Sequence, residues 1–498
     1  MKRATLCAWV AESDNRMVSV PGDTRAHPRT EENTLNWLDR SRSMAPPGFN
    51  RWLIPPAALA VHLCIGQAYA TSVYKSALIG HFGLSQTAIG IIFSIAIVML
   101  GLSAAIMGTW VERSGPRKSM FVAASFWGAG FLVGAAGIFT SQLWLVYLGY
   151  GVIGGIGLGI GYISPVSTLM KWFPDRPGMA TGMAIMGFGG GALIASPMSS
   201  ALLKFFDGFN PATDGADWIA SGNSVGKLFL TLGVLYFAVM MYGVLNIRVP
   251  APGWTPRGWD PSTAKVSAMV TTKQVSAANA IKTRSFWLVW AVLFLNVTAG
   301  IGILEQASPM IQDFFRGADG NSAVNAAVAA GFVGMLSIGN MAGRFIWSST
   351  SDVIGRKRIY MVYLGAGAVF YVVLAFFGGS SMLLFVAMAV VIISFYGGSF
   401  STAPAYLKDL FGTFQVGAIH GRLLTAWSAA GIAGPLIVNG LLDAQGKPGT
   451  MNAHNYLPVL LTMVGLLAIG FVASTLIRPV DAKYHEPEEE LASARKGS

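Results

Sequence analysis

Twelve largely apolar stretches of about 20 residues or more follow one another along the chain, and a run of that length suits a bilayer core about 30 Å thick. They lie at roughly 52–76, 87–111, 119–140, 143–165, 179–203 and 227–248, then 285–309, 325–349, 359–378, 381–404, 418–442 and 456–478. Only 11% of the 498 residues are charged and 53% are apolar, against about 25% charge in a water-soluble chain. That composition cannot clothe a soluble enzyme. The 60 glycines suit membrane helices whose backbones approach closely. The expected class is an all-α membrane protein of twelve transmembrane helices.

The basic residues set the orientation. One set of loops carries Arg113, Arg117, Lys118, Lys171, Arg176, Arg248, Arg257, Lys265, Lys273, Lys282, Arg284, Arg356, Lys357, Arg358, Lys408 and Arg422. The other set carries only Lys75, Lys204, Lys227, Arg316 and Lys447. Both termini fall on the basic side, so they and the 249–283 segment are expected in the cytoplasm and the spans in the inner (plasma) membrane. The net charge of +11 then serves orientation, and no nucleic-acid partner is expected. Residues 1–50 read as a disordered tail, with Met44 an alternative start. Residues 51–248 and 284–479 read as two six-helix bundles, 249–283 as their linker, and 480–498 as a second tail.

The two bundles share landmarks. Gly108-Thr-Trp-Val-Glu112-Arg113-Ser-Gly115-Pro-Arg117-Lys118 follows span 2, and Ser351-Asp352-Val-Ile-Gly355-Arg356-Lys357-Arg358 follows span 8. Pro165 and Lys171-Trp172-Phe173 of span 4 match Pro404 and Lys408-Asp409-Leu410-Phe411 of span 10. Span 5 runs through glycines to Pro197, and span 11 does so to Pro435. Such repetition is the mark of duplicated transporter halves.

The loop pattern resembles the signature of the major facilitator superfamily over about residues 50–480, with Glu112 and Pro116 as departures. The resemblance implies a conformational latch at Gly108, Glu112, Arg113, Gly115, Arg117, Asp352, Gly355 and Arg356. Gly66-Gln67-Ala-Tyr69, Gly157-x-Gly159-x-Gly161-Tyr162-x-x-Pro165, Gly187-Phe188-Gly189, Gly339-Asn340-x-x-Gly343-Arg344 and Thr425-Ala426-Trp427 are together similar to the oxalate:formate antiporter family, and more distantly to monocarboxylate transporters.

Ionisable residues inside a bilayer are costly and mark function. Arg344 follows an uncharged run from Ala326 to Gly343. It stays protonated when desolvated, and its planar fork matches a carboxylate. Asn340 is one turn earlier on the same face. The resemblance likewise implies that this arginine binds the carboxylate. Gln67, Tyr69, Tyr162, Phe188, Tyr396 and Trp427 are the candidate cavity walls. Glu305 is the candidate proton carrier, Lys75 reads as an interfacial anchor, and His62 reads as a packing residue.

The resemblance implies a lysine at the position of Trp427 in oxalate-exchanging members. With Trp427 there, one cation remains, and a dianion would bring an uncompensated charge into low dielectric. The expected function is therefore secondary transport of a small monocarboxylate such as lactate, pyruvate or formate. Protons or a counter-transported anion would be coupled to it, with the chain acting as a monomer in the lipid bilayer. Oxalate/formate-type exchange is the first alternative, and drug export or transporter-derived sensing are weaker ones. No paired carboxylates, metal-ligand spacing or nucleophile–base pair is apparent, so no enzymatic role, cofactor or metal is expected.

Overall fold

The computed structural model describes residues 36–210, 219–260, 269–317, 322–324, 326–446 and 451–487. Residues 1–37 separate as one unit and 38–498 as another, and the architecture below is that of the second. Lys265 and Lys447 lie outside the described residues, as does the side chain of Glu305.

The long helices are α1 (Arg51–Ala70), α2 (Gln86–Ser114), α3 (Pro116–Phe139), α4 (Leu143–Trp172), α5 (Pro177–Asp207) and α6 (Gly222–Asn246) in the first half. In the second half they are α7 (Arg284–Phe314), α8 (Ala326–Ile354), α9 (Arg356–Phe377), α10 (Met382–Phe411), α11 (Val416–Asp443) and α12 (Leu457–Thr475). No strand occurs among the described residues. Eleven of these helices are long and apolar enough to span a membrane; α8, with 29 residues of which a few side chains lie outside the described set, is not among the eleven. The expected number of twelve thus stands at eleven spans by length and hydropathy, with α8 as the twelfth long helix.

Several helices outrun their apolar stretches. α4 continues to Trp172 and α10 to Phe411, because a helical backbone satisfies its own hydrogen bonds past the apolar stretch, and both extensions are nearly all buried. The first span is interrupted at Thr71, and a further helix, Ser72–Phe82, continues it.

The halves repeat one packing scheme. α1 lies on α5, α2 on α4 and α3 on α6; correspondingly, α7 lies on α11, α8 on α10 and α9 on α12. Between the halves, α5 packs on α8 and α2 on α11, which is the same pairing with the halves exchanged. Small residues permit that approach. A methyl group on Gly182 of α5 would overlap Ser348 and lie 2.8 Å from the Arg344 carbonyl oxygen of α8.

Both ends of the described chain return to one face, here called the terminal face. Val249 N–H donates to the Ser43 carbonyl at 2.9 Å, and Glu486 N–H to that of Gln274 at 2.8 Å. Residues 38–50, expected to belong to a disordered tail, are folded here. Leu38 and Ser43 are buried, and Arg40 covers Gly115. The 249–283 segment is no free linker in its described parts either. Gln274 Oε1 accepts from the backbone N–H groups of Thr413 and Phe414, each at 2.8 Å.

Candidate functional site

Arg344 sits where the halves meet, on the α5–α8 seam, and is fully buried. Burying a guanidinium costs several kcal/mol unless its donors are met. Its Nε donates to Asn340 Oδ1 at 3.0 Å, the contact that their one-turn spacing predicts. Nη1 donates to the Ile185 carbonyl of α5 at 3.3 Å. Nη2 is buried without a hydrogen-bond partner. No described carboxylate is paired with Arg344. The cation is therefore met partly by dipoles and partly by rings: its Cζ lies 5.7 Å from the Phe188 ring centroid and 5.4 Å from that of Phe400. Such contacts contribute about 0.5–2 kcal/mol each. Gly189 leaves room for the side chain, since a methyl group there would come within 2.8 Å of Nε.

Around the guanidinium the rings interlock. Phe188 and Trp427 are 5.3 Å apart, Tyr162 and Trp427 5.7 Å, Phe400 and Trp427 4.6 Å, and Tyr396 and Phe400 5.1 Å. Tyr69 packs edge-on against Phe188 at 5.2 Å, and its hydroxyl lies 3.4 Å from that of Tyr396, across the two halves. Tyr162, Phe188, Tyr396 and Trp427 are all buried. The result is a closed aromatic box drawn from α1, α4, α5, α10 and α11 around one unmatched cation.

The structure brings Arg344, Asn340, Tyr69, Tyr162, Phe188, Tyr396 and Trp427 together. It does not bring Gln67 there. Both ends of that amide are committed inside the first half, Nε2 donating to Tyr74 at 3.0 Å and Oε1 accepting from Tyr150 at 3.1 Å. Lys75 lies on the helix Ser72–Phe82, part-exposed. Glu305 belongs to α7, but its side chain lies outside the described residues. Phe400 and Ser401 were not foreseen. Ser401 donates to the Arg344 carbonyl at 2.7 Å. Phe400 lies one turn from Tyr396, so helical spacing is the signal that would have found it.

Of the residues expected to form a latch, Asp352 with Arg356 and Glu112 make two matching sets of contacts on the terminal face. Asp352, at the end of α8, accepts from Gly178 N–H at 2.8 Å and Met179 N–H at 2.9 Å, the free donors at the start of α5. Glu112, at the end of α2, accepts from Gly417 N–H at 3.1 Å near the start of α11 and from Lys171 at 2.9 Å. Each carboxylate thus caps a helix of the opposite half, where unpaired N–H groups and the helix dipole favour negative charge. Arg356 bonds Asp352 and reaches Asp409 at 3.3 Å. Gly115 and Gly355 turn the chain with positive φ of 79° and 91°. Gly108 lies against Ala418, with 2.7 Å from a methyl group placed there to its Cα. Arg113 is exposed, whereas Arg117 is buried.

Comparison with known proteins agrees with this architecture. The chain is 24% identical over 444 residues to the oxalate:formate antiporter of Oxalobacter formigenes, covering 89% of this chain and 96% of that one. It is 25% identical to apicoplast pyruvate carrier 1 of Toxoplasma gondii, covering 67% and 66% of the two chains. Among solved structures, the transporter FucP in the outward conformation matches with a TM-score of 0.61 at 16% identity, covering 86% of this chain and all of that one. These relatives and neighbours are transporters, not enzymes. The model of the Major Facilitator Superfamily matches residues 57–435 and 321–497, and the chain belongs to that superfamily.

Proposed function

We propose that this transporter carries a small monocarboxylate by alternating access, with Arg344 holding the carboxylate and the aromatic box closing over the remainder. The observation that carries this reading is the fully buried guanidinium with no paired carboxylate, its Nη2 without a hydrogen-bond partner of good geometry and only the Tyr69 and Tyr162 hydroxyls beside it. A carboxylate is the ligand that satisfies such a donor in two bonds while cancelling its charge. The relatives named for oxalate, formate and pyruvate support an organic-anion substrate. The box has one cation and six apolar or phenolic rings, so one negative charge is balanced and a second is not. A monoanion such as formate, pyruvate or lactate suits it better than oxalate. Asn340 sets the guanidinium plane, and the latch carboxylates hold the terminal face shut while substrate enters from the other side. The basic loops support placing that face in the cytoplasm and the chain in the plasma membrane. Each chain contains a whole site and works alone.

The test is counterflow in proteoliposomes with labelled formate, pyruvate, lactate and oxalate. Arg344→Gln should lower exchange of every accepted anion by about a hundredfold, the equivalent of one lost charge-assisted pair. Undiminished exchange in that variant removes the assignment.

A further inference from the structure

Two histidines lie beside the aromatic box on opposite halves of the protein, and both are buried: His62 of α1 and His420 of α11. Tyr162 lies between them. The His62 ring stacks on it at 5.2 Å and 20°, and the His420 ring lies 5.8 Å from it on the second half. His62 Nε2 is 3.1 Å from the Tyr162 carbonyl oxygen. A carbonyl only accepts, so Nε2 carries the hydrogen and Nδ1 is the ring's bare lone pair. That Nδ1 is buried with no partner, and so is Nδ1 of His420. Two enclosed ring nitrogens without a hydrogen-bond partner, of which Nδ1 of His62 is the bare lone pair, are not what packing alone selects, because each forgoes hydrogen bonds it would have in water.

From this geometry, and resting on the carboxylate-transport reading above, we propose that His62 and His420 form the proton-carrying site that couples substrate movement to a proton. The charges that bear on it can be named. Arg344 of α8 acts on His62, and His62 acts on His420. From α4, Tyr162 faces both rings. The Glu112–Lys171 pair stands at Gly417, one turn before His420, and Arg422 follows it, bonded to the Ala277 carbonyl. The parts of α5 against His62 are Gly187 and the backbone of Ala184, neither of which carries a charge.

In the empty carrier burial first, and the guanidinium after it, oppose a positive charge on His62. A carboxylate on Arg344 cancels the guanidinium's share of that opposition, and one proton then settles on the bare Nδ1 of His62 as the anion binds. Empty carrier (guanidinium alone) and loaded carrier (guanidinium, carboxylate and imidazolium) bear the same net charge, so neither crossing is hindered electrically. When the terminal face opens, His420 leaves with the second half. Water then reaches both rings, the anion departs, and the proton returns to solution on that side.

The experiment uses the full chain in proteoliposomes with labelled pyruvate, measured two ways: counterflow at equal pH, and uptake driven by a gradient from about pH 7.5 inside to about pH 6 outside, across the range where imidazole titrates. Vesicles with Arg344→Gln give the background from diffusion of the free acid. Wild type should accumulate pyruvate under the gradient. His62→Gln with His420→Gln should keep counterflow within about threefold while losing gradient-driven accumulation by at least about tenfold. The single variants should fall between.

Accumulation that survives in the double variant overturns the proposal. So does a wild type that exchanges pyruvate but ignores the gradient, and so does loss of counterflow in both single variants, which would make the rings part of packing or binding. Absence of carboxylate exchange in wild type instead sinks the transport reading itself.

Discussion

Asp352→Asn is the sharpest test of how the halves hold together. The carboxylate accepts two backbone N–H donors from α5, at 2.8 and 2.9 Å, and bonds Arg356 as well. All of the α5 contacts cross from one half to the other, so they exist only while the terminal face is closed. An asparagine keeps the shape but has one acceptor oxygen, and its amide N–H group faces another donor. Hydrogen bonds to a charged group are worth about 1.5–3 kcal/mol each; losing one outright and weakening the other removes about 3 kcal/mol from the closed state alone. That is a shift of about a hundredfold, enough to bring a closed population of about 100 to 1 near parity.

Spin labels at Arg113→Cys and Val353→Cys, both exposed positions at the ends of α2 and α8, report the separation of the halves by pulsed electron resonance in a background of Cys7→Ser and Cys64→Ser. A long-distance population should grow from minor to comparable with the short one. Glu112→Gln should do the same more weakly, because Glu112 caps one N–H rather than two. Identical distance distributions for wild type and Asp352→Asn would falsify the capping argument, and a larger effect at Glu112 than at Asp352 would reverse its reasoning.

Further outcomes are expected. Trp427→Lys places a second cation beside Phe400 and Phe188, so oxalate should gain in counterflow relative to formate by about tenfold or more, one partly solvated ion pair; no gain would dismiss the single-charge account of selectivity. Gly182→Val should wedge α5 away from α8, since even a methyl group overlaps Ser348, and the label pair above should read the longer distance without substrate. A chain started at Met44 loses the buried Leu38, which stabilises by about 1.5–3 kcal/mol; its melting temperature in detergent should fall, and an unchanged value would mean that residues 38–43 only rest on the body.

The apolar runs made the helices legible, because burying an unbonded backbone in hydrocarbon leaves helices as the natural solution for a chain of such runs. The paired loop motifs made the duplication legible. Arg344 stood out because the spans hold so little other charge, and Asn340 followed from helical spacing. Phe400 was hidden among many apolar residues of α10, where nothing in a linear pattern says which ring meets a cation. Gln67 looked like a cavity residue by its place in the motif, yet Tyr74 and Tyr150 engage both ends of its amide inside the first half.

What the sequence determined by itself is local and periodic: which segments are helical, how they repeat, and where a lone cation lies. What only the tertiary structure decided is who meets whom across the halves. Asp352 caps α5 rather than merely anchoring a loop, and Glu112 does the same for α11. His62 and His420 come to either side of Tyr162 although 358 positions separate them in the numbering. The physical reason is that a hydrophobic pattern fixes which residues leave water but not their partners. Those are chosen by the fit of helix against helix, and here by glycines that let α5 and α8 close on Arg344.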